Sequence, residues 1–243
     1  MSKLLYIRHA QASFMAKNYD QLSELGYRQS KILGEYLVAE GVRFDKIYVG
    51  PLKRHHQTLQ MVQEAYTENG IELPEPVLLP ELIEHRGPAV YRYLLPELLK
   101  TDEKLQEWDA QVKADPSLLK RNHLRMFHYT LERWARGEFK DIHPEHLQSW
   151  TDFRTMVTRG LKQILEESKG ERGLTVGAFT SGGTVSAATG EVLQMGNEEK
   201  IMELNGFVRN TAMTEYAFSD KRISLKYFNT IPHLTKKELI TFV

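Results

Sequence analysis

The chain has 243 residues, 41% of them hydrophobic, and its 32 basic and 32 acidic side chains leave a formal net charge of +0. That balance supports a sizeable core, excludes wholesale disorder, and supplies no global field to draw the protein to nucleic acid or anionic lipid. The absence of cysteine excludes disulfides, thiolate metal sites and a cysteine nucleophile.

The first predicted element is a short buried strand, Leu4 to Ile7, which exits into Arg8-His9-Ala10. Ser23 is placed to cap a helix running to about Glu40, with Leu25, Leu33, Tyr36 and Leu37 on one face and Gly41 ending it in a left-handed conformation. Lys46 to Val49 reads as a second buried strand. Gly50-Pro51 and a helix from about Leu52 to Tyr66 follow, with Pro51 suited to the helix start. Pro74, Pro76 and Pro80 bracket a short strand at Val77 to Leu79.

From about Pro88 to Gln148 the texture changes to amphipathic helix without a convincing strand, its apolar stripe read at Leu118, Leu124, Phe127, Leu131 and Trp134. Such a block between strands is expected to be a helical cap insertion, spanning about 88–148 of a single domain. Ser149 precedes a helix carrying Phe153, Val157, Leu161, Ile164 and Leu165. A strand at Leu174 to Phe179 leads into Ser181-Gly182-Gly183 and a helix from Thr184. Two strands, Ala212 to Phe218 and Ile223 to Phe228, complete the pattern. The fold class is α/β: a three-layer sandwich with a mainly parallel sheet flanked by helices, plus the helical cap.

Three strand-to-helix junctions carry the chemistry: Arg8-His9, Pro51-Leu52-Lys53-Arg54 with Gln57-Thr58, and Ser181-Gly182-Gly183. If their strands are parallel neighbours, all three open at one sheet edge, where ligand sites of such folds gather. Two guanidiniums, an imidazole and a helix N-terminus converging there suit a phosphate dianion. No acidic cluster is present to hold a metal, so neither metal nor other cofactor is expected.

These residues resemble those of the histidine phosphatase superfamily, in the branch that includes phosphoglycerate mutase. Arg8-His9-Ala10 is similar to its Arg-His-Gly signature, with alanine for glycine. Leu22-Ser23-Glu24-Leu25-Gly26 with Gln29 resembles the opening of its first helix, and Pro51-Leu52-Lys53-Arg54 with Gln57-Thr58 resembles the element bearing its second phosphate-binding arginine. Phe179 through Gly183 stands where the family has histidine-Gly-Gly.

The resemblance implies that His9 is a nucleophile that accepts a phosphoryl group, with Arg8 and Arg54 neutralising its oxygens. It also implies a carboxylic acid after the third strand. Glu84, in Leu82-x-Glu84, fits the family pattern better than Glu81, and both stay candidates. Ser181 occupies the place of the family's second histidine, and with Gly182 it is expected at the phosphate. His85, or His55 from the second helix, is a candidate replacement for that histidine. Gln11, Ser13 and Asn210 are loop residues that could contact phosphate oxygens.

The expected activity is metal-independent hydrolysis of phosphomonoesters through phosphohistidine. Phosphoglycerate mutase activity and a non-catalytic phosphate-binding protein are the alternatives. The expected partner is a small phosphorylated substrate, with no nucleic acid and no membrane; oligomeric state is left open. The N-terminal apolar run is too short for a signal peptide, and no stretch approaches the roughly 20 residues of a membrane span, so a cytoplasmic location is expected. Other features point to structure: adjacent His55-His56 diverge on a helix and make poor co-ligands, and Pro144 interrupts His143-x-x-His146. Arg121, Arg125 and His128 share a face of the cap, expected to be solvated.

Overall fold

A computed structural model describes residues 1–13, 20–142 and 144–242. His143, and with it the His143-x-x-His146 spacing, lies outside the described residues. Strands β1 (Ser2–Arg8), β2 (Lys46–Val49), β3 (Val77–Leu78), β4 (Thr175–Thr180), β5 (Met213–Ser219) and β6 (Arg222–Thr230) form one sheet in the order β3-β2-β4-β1-β5-β6. The first four in that order run parallel, and β5 and β6 are antiparallel additions at the β1 side.

Alternation along β1 divides the core in two. Leu5 and Ile7 face helices α1 (Glu24–Ala39) and α2 (Lys53–Glu68), packing with Leu33, Leu37, Leu59, Val62 and Tyr66. Leu4 and Tyr6 face the opposite layer, with Leu94, Phe153, Val157 and Val185. That layer holds α3 (Gly87–Thr101), α4 (Glu103–Ala114), α5 (Leu119–Ala135), α6 (Trp150–Glu166), α7 (Gly182–Val192) and α8 (Glu198–Phe207).

Local signals set the helix ends. Ser23 accepts from the Gly26 amide to cap α1, and Gly41, at φ +66°, turns the chain out of it. Ser149 and Asp152 form a reciprocal capping box on α6. Among the described residues no helix is long and apolar enough to cross a membrane.

Some expectations are corrected. Pro51 lies outside α2, whose N-cap is Leu52, and α7 starts at Gly182 rather than Thr184. Leu124 is exposed, and α5 turns Asn122, Met126, Thr130, Leu131 and Trp134 inward. Asn122 is drawn in because its amide donates to the Trp108 carbonyl and to Gln111 on α4. Helix α8 was not expected at all; only Ile201 and Met202 of it are buried, too few for a clear apolar period.

Candidate active site

Register places the three junctions level with one another. Arg8 pairs with Thr180, and Phe179 pairs with both Ile7 and Val49, so β1, β4 and β2 end together. The ladder runs slightly past the strands: the His9 amide donates to Thr180 and that of Gly50 to Phe179. The parallel order therefore delivers His9, Ser181 and the start of α2 to one edge.

His9 is buried, and its partners define its tautomer. Nδ1 lies 2.7 Å from the Ala10 carbonyl oxygen and must donate to it, while Nε2 accepts from Arg54 Nε at 3.0 Å. The proton therefore sits on Nδ1, and Nε2 presents a lone pair. Burial and the charges of Arg54 and Arg8 hold the imidazole well below its ordinary pKa, hence neutral. The peptide at His9 is fixed too, since Asn210 Nδ2 donates to the His9 carbonyl oxygen at 3.1 Å and Thr58 Oγ1 accepts from the Ala10 amide at 3.0 Å.

Arg54 bonds this ring directly, and the charge of Arg8 also acts on it. Arg54 also binds Asp20, Nη1 to Oδ1 at 3.1 Å, and the Asp20 carboxylate accepts from the Lys53 amide at 2.9 Å, so it anchors the start of α2 as well. Arg8 donates through Nη1 to the carbonyls of Val208 and Phe242, and its guanidinium lies against Gly182. Asp20 was not anticipated from the sequence, where a lone loop aspartate carries no pattern.

At the head of α7, Glu84 Oε2 accepts from the Gly183 amide at 3.2 Å, in space that a side chain at 183 would fill. The Thr180 and Thr184 hydroxyls donate to the Leu82 and Ile83 carbonyls at 2.7 Å, holding the segment that carries Glu84 against β4 and α7. Glu81 instead points to α6, pairing with Arg159 at 2.9 Å and packing on Gly160. The structure thus brings Glu84, and not Glu81, to the junction cluster.

Ser181 and His55 are wholly buried, with His55 Nε2 2.7 Å from Ser181 Oγ and its ring 5.6 Å from that of His9. His85 is also buried, boxed by Trp134, Trp150 and Phe153. Its Nδ1 accepts from the Gly87 amide at 3.0 Å, and its Nε2 lies 3.0 Å from the Asn205 amide. Both histidines turn inward, because their rings find partners across elements. On α2, His56 points to solvent, as helical divergence requires.

The remaining candidates serve the loops. The Gln11 amide donates to Gln29 at 2.8 Å and its side-chain oxygen accepts from Ser23 at 2.8 Å; Ser13 Oγ donates to the Leu22 carbonyl at 3.0 Å. Asn210 is committed to His9 and Thr241. Arg125 stacks on Trp108, 4.6 Å from the ring centre. No group of three or more His, Asp or Glu able to hold a metal ion occurs among the described residues.

The sequence model described as "Histidine phosphatase superfamily (branch 1)" matches residues 4–88 and 92–231. No curated protein matches the chain in sequence. A phosphoserine phosphatase variant from Entamoeba histolytica, solved with phosphoserine, superposes with a TM-score of 0.62 at 18% identity, over 96% of this chain and 100% of that one. Phosphoglycerate mutase from Bacillus anthracis gives 0.60 at 15% identity, over 96% and 94%. A mycobacterial glucosyl-3-phosphoglycerate phosphatase gives 0.59 at 20% identity, over 94% and 98%. At these identities the likeness is one of fold.

Proposed function

The chain belongs to the histidine phosphatase superfamily, and on that premise we propose that it is a phosphomonoester phosphatase working through a phosphohistidine on His9, without a metal. The observation that carries this reading is the fixed tautomer of His9, with Nδ1 donating to the Ala10 carbonyl at 2.7 Å and Nε2 left as an acceptor toward Arg54. A nucleophilic imidazole needs that arrangement, whereas simple anion binding would favour the protonated ring.

In the first step Nε2 of His9 attacks phosphorus in line, and the bond from phosphorus to the ester oxygen breaks. Glu84, protonated, gives its proton to the departing alkoxide, and the alcohol leaves. Arg54 moves its Nε from His9 to the phosphoryl oxygens, and Arg8 and the Gly182 end of α7 add positive potential. Water then attacks the phosphohistidine as the Glu84 carboxylate takes its proton. Inorganic phosphate departs and the lone pair returns to Nε2. Helices α3 to α5 are proposed to form the cap that selects the substrate. Relatives of this fold include enzymes solved with phosphoserine and 3-phosphoglyceric acid, which supports a small phosphorylated molecule as substrate.

The test is phosphate release from p-nitrophenyl phosphate at mildly acidic pH by the wild type and by His9→Ala. Release above background that disappears in the variant is expected; equal rates in the two proteins would sink the proposal. Incubation with 3-phosphoglycerate and a bisphosphate primer separates the alternative: isomerisation outrunning phosphate release would make the protein a mutase.

A further inference from the structure

Helix α8 brings a polar side chain to the head of α7. Asn205, half-buried, reaches from the last turn of α8, and one end of its carboxamide lies 3.0 Å from Nε2 of the buried His85. The other end stands 2.7 Å from the point that a Cβ on Gly182 would occupy. Arg8 approaches that same point, with Nε at 3.4 Å and Cζ at 3.5 Å. A side chain at 182 would push the carboxamide aside, so glycine at the start of α7 leaves room for Asn205 beside Arg8.

The partners of His85 decide which way round the carboxamide lies. Nδ1 accepts from the Gly87 amide at 3.0 Å, so it carries no hydrogen and the ring proton is on Nε2. A protonated Nε2 can only donate, and the carboxamide atom facing it is therefore the oxygen. Nitrogen and oxygen of a carboxamide share one outline and are told apart by such partners. The NH2 group then forms the other end, turned toward Gly182 and Arg8. Glu84 Oε1 stands 3.5 Å from the same His85 nitrogen. The carboxamide thus adjoins His85 and, across its ring nitrogen, Glu84 at one end, and Gly182 and Arg8 at the other. Among the described residues its only hydrogen-bond contact is His85, and its NH2 group shares its corner with a guanidinium, a donor beside a donor. Donors gathered in this way suit an anionic oxygen.

We propose that Asn205 binds the phosphoryl group of the substrate, donating through Nδ2 to the oxygen that also meets Arg8 and the Gly182 end of α7, and that His85 is the positioning residue that keeps the amide turned that way. This rests on the phosphatase reading above and deepens it.

The test reads phosphate release, together with inhibition by inorganic phosphate as a measure of binding without turnover. Asn205→Ala is expected to lower kcat/KM about tenfold to a hundredfold and to weaken phosphate inhibition in parallel. Asn205→Asp is the sharper variant. Its carboxylate still accepts from His85 Nε2, which keeps the tie between α8 and His85, but the donor is replaced by a negative charge facing the dianion. It is expected to lose at least as much as Asn205→Ala and to recover in part as salt is raised. If Asn205 only ties α8 to His85, Asn205→Asp keeps the wild-type kcat/KM and phosphate inhibition. That result, or unchanged values in Asn205→Ala, would overturn the inference while the phosphatase stands. Ring nitrogen NMR of the wild type, a readout that needs no turnover, is expected to place the His85 proton on Nε2; a proton on Nδ1 would overturn the inference as well. A wild type that releases no phosphate would sink the parent reading and this one with it.

Discussion

At the carboxyl edge of the sheet, buried polar groups lean on one another: His9 on Arg54, His55 on Ser181, Asn210 on the His9 peptide. In helices α3 to α5 the plan is reversed. Burial there falls mostly to apolar residues such as Val90, Leu94, Leu98, Leu105 and Met126, with Asn122 and Thr130 the polar exceptions, and charge is kept near the surface, as where Arg133 meets Asp102 and covers Tyr129. The edge owes its order to strand register, which fixes several side chains at once. The helical block owes its order chiefly to apolar packing, with the Asn122 bonds tying α5 to α4, and that fixes a shape but no chemistry. Damage should therefore separate cleanly, with edge substitutions costing turnover at constant stability and block substitutions costing stability at constant turnover per folded molecule.

The largest effect short of removing the nucleophile is expected from Arg54→Ala. It deletes the guanidinium on His9 Nε2 and a clamp on the transferring group, at a cost of about 2.7–4 kcal/mol, or roughly 10²–10³ in kcat. Calorimetry should show a melting temperature within a few degrees of wild type; a variant that unfolds instead would mean that the edge is structural first. On the other side, Leu94→Ala should cost about 2–3 kcal/mol in urea unfolding, through lost transfer energy and the cavity left behind. Phosphate release per folded molecule should stay within about twofold, and a tenfold loss would break the separation.

Acid should strike the sheet side selectively. His233, buried near α1 with Nε2 2.8 Å from Thr211 Oγ1, is pulled down to about 4 by burial. The unfolded chain takes up this proton below its ordinary pKa of about 6.5 and the folded chain does not. Stability is therefore full above that value and falls as pH drops toward 4, by about 2 kcal/mol between pH 6.5 and 4.5 from this residue alone. His233→Asn should flatten the dependence of the urea midpoint on pH in that window; an unchanged slope would refute the assignment.

How far this contrast could be read from sequence differs between the regions for the same reason. β1, β2, the Ser23 cap and the Ser149 capping box have short-range signals, and parallel order then brings Arg8, His9, Arg54 and Ser181 together without further information. The inward turn of His55 went unread, although His55, Leu59, Val62 and Tyr66 recur at helical spacing on the buried face of α2. Leu124 misled because α5 answers to polar partners on α4, which apolar periodicity does not register. Asp20 was invisible because its role depends on the fold carrying its loop to the head of α2.

That aspartate sets the finest test. Its carboxylate bonds Arg54 on one side and the first amides of α2 on the other, so it both aims the guanidinium and opposes an incoming dianion. Asp20→Asn keeps an oxygen for these donors and removes the charge. The side chain is part exposed and solvent screens it, so the effect should be about 0.5–1 kcal/mol, lowering KM for phosphomonoesters roughly two- to fivefold with kcat nearly unchanged. The gain should shrink as salt is raised, because it is electrostatic. A rise in KM would mean that orienting Arg54 outweighs repelling the substrate. The negative charge would then belong to the pre-organisation of the edge and would not be a cost that the edge tolerates.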